Sequence, residues 1–360
     1  MNKQKRLLLL PQTGPQGAAS RYRVYQYVGF IEKAGYLVKV WPAVDDRIYR
    51  LRAHRPGAFS KMLWLLSRIV RRKLAFFFVW RYDVVLLQRE TLPIGFPIID
   101  LMLCALAKKV VFDFDDAIYS AAQEMPTWQR WLSDPARIER ILRRCDLVVA
   151  ANRQLAAYAR RHAMKVVVIP TALDFAHYQQ FKAVKQWNGK IIIGWIGSPF
   201  TAFYLKFLFP VFANIARTHA IEVRAIGANI SENVDFPLVC KPWLLESEMD
   251  EIHAFDIGVM PLTDDEWSRG KSGLKLLQYL AAGIAAVASP VGVNRELIRP
   301  EQNGILASTP EEWEHSLLRL IEYPALRQRI AVNARDSFDH SFDLQTTAGQ
   351  LIQAIDSLCK

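Results

Sequence analysis

Short, β-rich apolar runs alternate along this chain with longer segments whose apolar residues recur every third or fourth position. The first pattern fits strands buried on both faces, the second amphipathic helices. In the first half the predicted strands are Arg6–Leu10, Tyr36–Trp41, Asp83–Gln88, Lys109–Asp113, Asp146–Ala150 and Lys165–Ile169. Helical periodicity separates them over Ser20–Ala34, Phe59–Trp80, Gly95–Ala107 and Asn152–His162. The second half begins the alternation afresh. Lys190–Gly197 runs into a Gly-Ser-Pro turn, Thr201–Thr218 is helical, and Ile221–Ile226, Pro237–Cys240, Asp256–Leu262 and Ala285–Ser289 supply further strands. Such alternation is the signature of α/β architecture with parallel sheets. Leu7–Leu10 also runs into a glycine-bearing loop and a helix, so both halves open in the same way and two Rossmann-like domains are expected. Their boundary is predicted within Thr171–Gly189. Neither loop is GxGxxG, which disfavours a dinucleotide enzyme.

The densest chemistry lies between Asp256 and Gly292. A strand punctuated by Pro261 leads to a helical pattern with Leu274, Leu277 and Ala281 on one face, closed by Gly283. Lys271, Lys275 and Gln278 fall at i, i+4 and i+7 and are expected to share another face. Two lysines beside a helix N-terminus make an anion site, because free N–H groups and the positive dipole end add to two ammonium charges. The alternative is a solvated helix face. That face ordinarily mixes charge signs, and no acid interrupts this one.

At 360 residues the chain is long enough for two ordinary cores, and a 51% hydrophobic, 22% charged composition is that of a folded protein. The 4 cysteines (Cys104, Cys145, Cys240, Cys359) and 7 histidines show no metal-site spacing, and the cysteines fit a reducing compartment better than a disulfide framework. Leu7–Leu10 is cut short by Pro11, so it reads as a first strand rather than a signal peptide. No apolar run is long enough to predict a spanning helix. The net charge of +11 favours an acidic partner. Lys61–Arg81 combines aromatics and leucines with Arg68, Arg71, Arg72, Lys73 and Arg81, which suits either a helix in an anionic membrane interface or a buried helix with a basic rim.

Four stretches together resemble the group 1 (family 4) glycosyltransferases, retaining nucleotide-sugar enzymes of GT-B fold. They are Gly14–Arg23, Val168–Asp174, Gly194–Ser198 and, most specifically, Asp256–Gly304. The resemblance implies two Rossmann-like domains facing across a cleft: an acceptor domain over 1–172 and a nucleotide-sugar domain over 173–337. A C-terminal helix, 338–360, is then expected to cross back to the first domain. The family's two motif glutamates would stand at 270 and 278, where this chain has Gly270 and Gln278. Its Gly-Arg and Lys-Gly pair is missing near Gly197 and Ser198. The resemblance therefore implies that Lys271 and Lys275 carry the displaced diphosphate charge, with Gln278 on the ribose and Glu266, Asp265 or backbone amides in place of the lost glutamate. The family's N-domain His-Asp pair aligns with Asp115 and Asp116. Asp115, Asp116, Lys271 and Lys275 form the expected catalytic set. Gly14, Gly17, Arg21, Gly197, Ser198, Glu266, Gly270 and Gln278 form the expected donor-binding set, and Trp267 is read as packing.

The resemblance implies a nucleotide diphosphate sugar as donor, and neither a further cofactor nor a metal is expected. Asp113, Asp115 and Asp116 have the look of a divalent-ion motif, and magnesium is the alternative that the spacing leaves open. The expected acceptor is lipid-linked or an envelope saccharide. The expected location is cytoplasmic, peripheral at the inner face of the cell membrane, with no nucleic-acid partner. Two other functions fit the same architecture: a sugar-nucleotide-binding protein without activity, and a GT-B nucleotide-sugar epimerase.

Overall fold

The apolar runs become strands in two separate parallel sheets, and in the computed structural model the described residues are 4–54, 57–120, 134–180 and 189–359. The first sheet contains β1 (Arg6–Leu10), β2 (Leu37–Val40), β3 (Val84–Gln88), β4 (Val110–Phe114), β5 (Leu147–Ala150) and β6 (Val166–Val168), ordered β2-β1-β3-β4-β5-β6. Leu7, Leu8, Leu9 and Leu10 are all buried, as a central strand covered by helices on both faces requires. The second sheet contains β7 (Ile191–Ile196), β8 (Ile221–Ile226), β9 (Leu238–Lys241), β10 (Ile257–Met260), β11 (Ala285–Ala288) and β12 (Ile305–Leu306), ordered β12-β11-β10-β7-β8-β9. Its first strand lies in the middle and its order reverses between β7 and β10, the doubly wound arrangement of a Rossmann-like domain. The two-residue β12 carries too little pattern to be read from sequence.

The chain divides into two compact units. One comprises residues 1–172, 270–272 and 344–360, the other residues 173–269 and 273–343. The helix Leu344–Asp356 belongs to the first unit, where Leu344, Ala348, Leu351 and Ile355 join Leu7, Leu9, Tyr27 and Ile31 in one core. Thr347 Oγ1 accepts from the Tyr27 hydroxyl at 3.1 Å, and Asp356 accepts from the Tyr36 hydroxyl at 2.5 Å. Residues 338–343 stay with the second unit: Phe338 stacks on Phe175 at 4.2 Å, and the Leu173 amide donates to the Phe342 carbonyl.

Three helical expectations need correction. Ser20–Ala34 is not one helix but Ala18–Arg23, a 3₁₀ turn Tyr25–Tyr27 and Val28–Lys33, broken where Val24 leaves the helical region. Thr201–Thr218 is likewise split into Ala202–Lys206 and Phe209–Ala216, because Pro210 lacks the N–H needed to continue the first segment. Leu205, Val211, Phe212 and Ile215 of this bent pair are buried in the second unit's core. Among the described residues no single helix is long and apolar enough to cross a membrane.

The third correction concerns the helix Ala58–Ala75, whose arginines do not form a basic rim. Arg72 is 1% exposed and donates to the carbonyls of Leu10 and Pro11 at 2.7 and 2.8 Å, at the end of β1. Burial pulls its pKa down to about 9. Arg68 donates to the Glu90 carbonyl and Arg71 to the Pro42 carbonyl. These cations satisfy carbonyls left over at strand ends.

Candidate active site

In the second unit the chemistry gathers where the strand order reverses, the position at which open α/β sheets hold ligands. Strand β7 ends at Ile196 and the chain continues through Gly197 and Ser198. The Lys275 ammonium lies 4.2 Å from the centre of the buried Trp195 ring and 3.5 Å from Thr201 Oγ1. A Cβ on Gly197 would meet the Lys275 Nζ at 2.6 Å and the Trp195 ring at 2.5 Å, so only glycine leaves room for this cation beside the strand end. Trp195 holds the lysine by its ring face at the sheet's carboxyl edge.

Lys275 is on the helix Leu274–Ala281, but Lys271 is not. Gly273 takes φ +72 at the N-cap, with Val293 and Leu297 packed where a side chain would stand, and this left-handed residue separates the two lysines. The expected i, i+4 pairing on one helix face is therefore incorrect. Lys271 belongs to the 270–272 segment of the first unit and Lys275 to the second unit.

Gln278 is 3% exposed and donates to the Tyr178 hydroxyl at 3.1 Å and to Glu248 at 3.0 Å. Glu248 also accepts from the Trp243 indole N–H at 2.5 Å. Glu248 was not singled out from sequence, since no local spacing ties it to Gln278. It is a buried carboxylate on the helix Glu248–His253, beside the position where the family resemblance expects a glutamate. Glu266 is exposed on the short helix Glu266–Arg269. Asp265 is engaged at the start of that helix, accepting from the Ser268 amide at 2.8 Å and from the Thr263 hydroxyl. Trp267 meets Phe200 edge to face at 6.4 Å.

In the first unit the loop after β1 is shaped by packing. A Cβ on Gly14 would fall 2.1 Å from an Asp46 carboxylate oxygen, and one on Gly17 would fall 2.0 Å from Thr13 Oγ1. The Gly14 amide donates to the Val44 carbonyl. Arg21 donates to the Pro15 carbonyl at 3.4 Å and lies 4.7 Å from the Tyr22 ring centre. Arg23 turns the other way and is buried, donating to both oxygens of Asp113 and to the Ile169 carbonyl.

That pairing separates Asp113 from its neighbours in sequence. Asp115 and Asp116 are instead bridged by one guanidinium, Arg89, which donates to Asp115 at 2.5 Å and to Asp116. Arg89 itself has φ +56, a conformation that non-glycine residues rarely adopt. Lys271 Nζ lies 3.4 Å from the other Asp116 oxygen. Burial acts to raise the Asp116 carboxyl, but Lys271 and Arg89 outweigh it and hold the group below the ordinary carboxylate range. Among the described residues, no three carboxylate, histidine or cysteine side chains converge as a metal-binding group.

The 270–272 segment is latched to this cluster. Asn152 accepts from the Leu155 amide as the cap of the helix Arg153–Ala159, and its Nδ2 donates to the carbonyls of Gly270 and Lys271. A Cβ on Gly270 would fall 2.6 Å from Ala117 Cβ and 2.9 Å from the Ala117 amide nitrogen. This close approach leaves no room for a glutamate side chain at 270. Arg89 and Asn152 complete the arrangement. Both lie at strand ends far from the lysine segment in sequence, and only the fold brings them to it.

Comparison with known proteins agrees with the fold. Residues 193–323 match the family model described as Glycosyl transferases group 1. Sucrose-phosphate synthase of Thermosynechococcus elongatus superposes with a TM-score of 0.72 at 15% identity, covering 99% of both chains. HepE of Anabaena, crystallised with UDP and glucose, gives 0.69 at 15% identity over 98% of this chain and 100% of that one. The lipopolysaccharide outer core galactosyltransferase WaaB gives 0.63 at 12% identity over 98% and 99%.

Proposed function

We propose that this chain, a group 1 glycosyltransferase of GT-B fold, moves a sugar from a nucleotide diphosphate sugar to a lipid-linked or envelope saccharide acceptor. The observation that carries the donor assignment is the Lys275 ammonium held against Gly197 at the carboxyl end of β7. Transfer leaves a nucleoside diphosphate, and the negative charge growing on it requires preorganised positive charge. Lys275 supplies that charge, and the Gly197–Ser198 turn gives a backbone that a phosphate can approach closely. The Gln278–Glu248 pair is assigned to the ribose side, where Glu248 is the hydroxyl acceptor that the sequence lacks at 278. A uridine nucleotide is the favoured donor, because HepE was crystallised with UDP and UDP-glucose.

On the acceptor side the reading assigns Asp116 and Asp115, positioned by Arg89, to the incoming hydroxyl, with Lys271 keeping Asp116 ionised. Retention of configuration and independence from metal follow the family resemblance. The matching family model describes glycosyl transferases and WaaB is described as a galactosyltransferase, which weighs against the epimerase and the inactive binding protein. A thermal-shift screen against UDP-, GDP-, ADP- and TDP-sugars tests the donor assignment. Ligand at 100 times its dissociation constant stabilises by about 2.7 kcal/mol. A clear shift with UDP-sugars that Lys275→Ala removes is the expected result, and no shift with any of the four would overturn it.

A further inference from the structure

The helix Ala58–Ala75 is built inside out. Its buried positions are Ser60, Ser67, Arg68, Arg72 and Ala75, the arginines being those anchored on strand-end carbonyls. Its outward positions include Phe59 (68% exposed), Met62, Leu66, Val70 and Leu74, spaced three to four apart as one stripe. Phe77, 76% exposed, and Trp80 continue the apolar surface past the helix end. The neighbouring helix Ile98–Leu106 buries Ile99 and Leu103 beside Asp100, yet it too turns apolar side chains outward. Asp100, its one charged residue, is 1% exposed and accepts from the Thr91 amide and hydroxyl, while Ile98, Met102 and Leu106 face outward.

Single apolar residues on a surface are ordinary, but two adjacent helices that both turn apolar stripes outward, one of them over buried arginines, form a continuous patch that calls for an apolar occupant. Charge selects which one. From residue 58 to residue 82 there is no aspartate or glutamate, and Lys61, Lys73 and Arg81 are exposed. A second copy related by a two-fold axis would set these cations against their own counterparts, with no carboxylate between residues 58 and 82 of either copy to meet them. An anionic bilayer supplies both an apolar layer and negative headgroups.

We infer that these two helices dock the first unit on the interfacial layer of an anionic bilayer, apolar stripes at the acyl boundary and lysines among the phosphates. This deepens the proposed function, on which it rests for the lipid-borne acceptor, and it changes the expected character of docking. Arg68 and Arg72 are occupied inside the fold, so apolar insertion dominates and most of the binding survives salt, which screens only Lys61, Lys73 and Arg81.

Flotation of the full-length protein with vesicles of phosphatidylglycerol and phosphatidylcholine, or phosphatidylcholine alone, tests this at low and high salt. The expected result is binding to anionic vesicles, mostly retained at high salt. Phe59→Ser, Met62→Ser and Leu66→Ser combined should weaken partitioning on the order of a hundredfold, since each removes a large apolar side chain from the lipid boundary. Lys61→Ser with Lys73→Ser should cost roughly tenfold to thirtyfold at low salt and little at high salt. An unchanged melting temperature confirms that these solvent-facing variants fold. Absence of vesicle binding by the wild type, or equal binding by the triple variant, would overturn the inference. So would a concentration-dependent dimer abolished by the triple variant, which would assign this face to a second copy. Nucleotide-sugar thermal shifts on the same preparations separate the two readings. A shift without vesicle binding sinks the docking alone, whereas vesicle binding without a shift sinks the donor assignment and leaves the docking intact.

Discussion

At the scale of single residues, the first unit's cluster hangs on Arg89. Its guanidinium bridges Asp115 and Asp116 while its backbone sits at φ +56. Arg89→Ala should destabilise by about 3 kcal/mol, because it leaves Asp115 and Asp116 near each other with only Lys271, on Asp116, to offset them. Arg89→Gly removes the same guanidinium but relieves the backbone, and should cost about 1 kcal/mol less than Arg89→Ala. Equilibrium denaturation of both variants measures the difference. Asp116 adds a pH dependence. Its folded pKa is depressed, so it stabilises the protein above the unfolded carboxylate value of about 3.9, and this is lost as pH falls through the folded value. Below pH 4 the wild type should lose stability more steeply than Asp116→Asn. Parallel curves for the two would remove Asp116 from the ionised network. Gly270→Ala forces a Cβ onto Ala117 and should cost about 1–3 kcal/mol in a denaturant melt.

These residues also show what the sequence could reveal. Lys275 and Gly197 were legible because a lysine just inside a helix and a glycine after a strand are local signals. Lys271 was legible as a residue but not in its place, since the left-handed Gly273 takes it off the helix. Arg89, Asn152 and Glu248 were silent, because each acts on a partner brought close only by folding. The bridge from Arg89 to Asp115 and Asp116, for example, depends on the parallel pairing of β3 with β4.

At the scale of elements, the alternation of apolar runs and helical periods was a sound guide to the sheets, since strands buried on both faces carry long unbroken apolar runs. It misled at Ala58–Ala75, where the same periodicity serves an inverted helix: the stripe that looks like core faces out, and the arginines that look like rim face in. Periodicity reports that a helix has two faces, not which one is buried. The C-terminal helix follows the ordinary rule. Its Leu351 is buried among the first unit's core residues, so Leu351→Ala should cost about 2–5 kcal/mol. Deleting residues 344–360 should leave the first unit unable to fold cooperatively, which calorimetry of the truncated chain would show as loss of a transition.

At the scale of the whole molecule, the two sheets divide the chemistry. The second unit offers a cation at its strand reversal, and the first offers the carboxylates of Asp115 and Asp116 bridged by Arg89, with Lys271 beside Asp116. The central claim is that this division serves sugar transfer. The most direct measurement incubates the protein with radiolabelled sugar nucleotides and a lipid extract of bacterial membranes, and follows label into the organic phase. The account predicts time-dependent labelling from one donor. Lys275→Ala should reduce it roughly 30- to 1,000-fold, the loss of about 2–4 kcal/mol of charge stabilisation in the transition state. No labelling from any donor by a preparation that binds the nucleotide sugar, or undiminished labelling by Lys275→Ala, would contradict it.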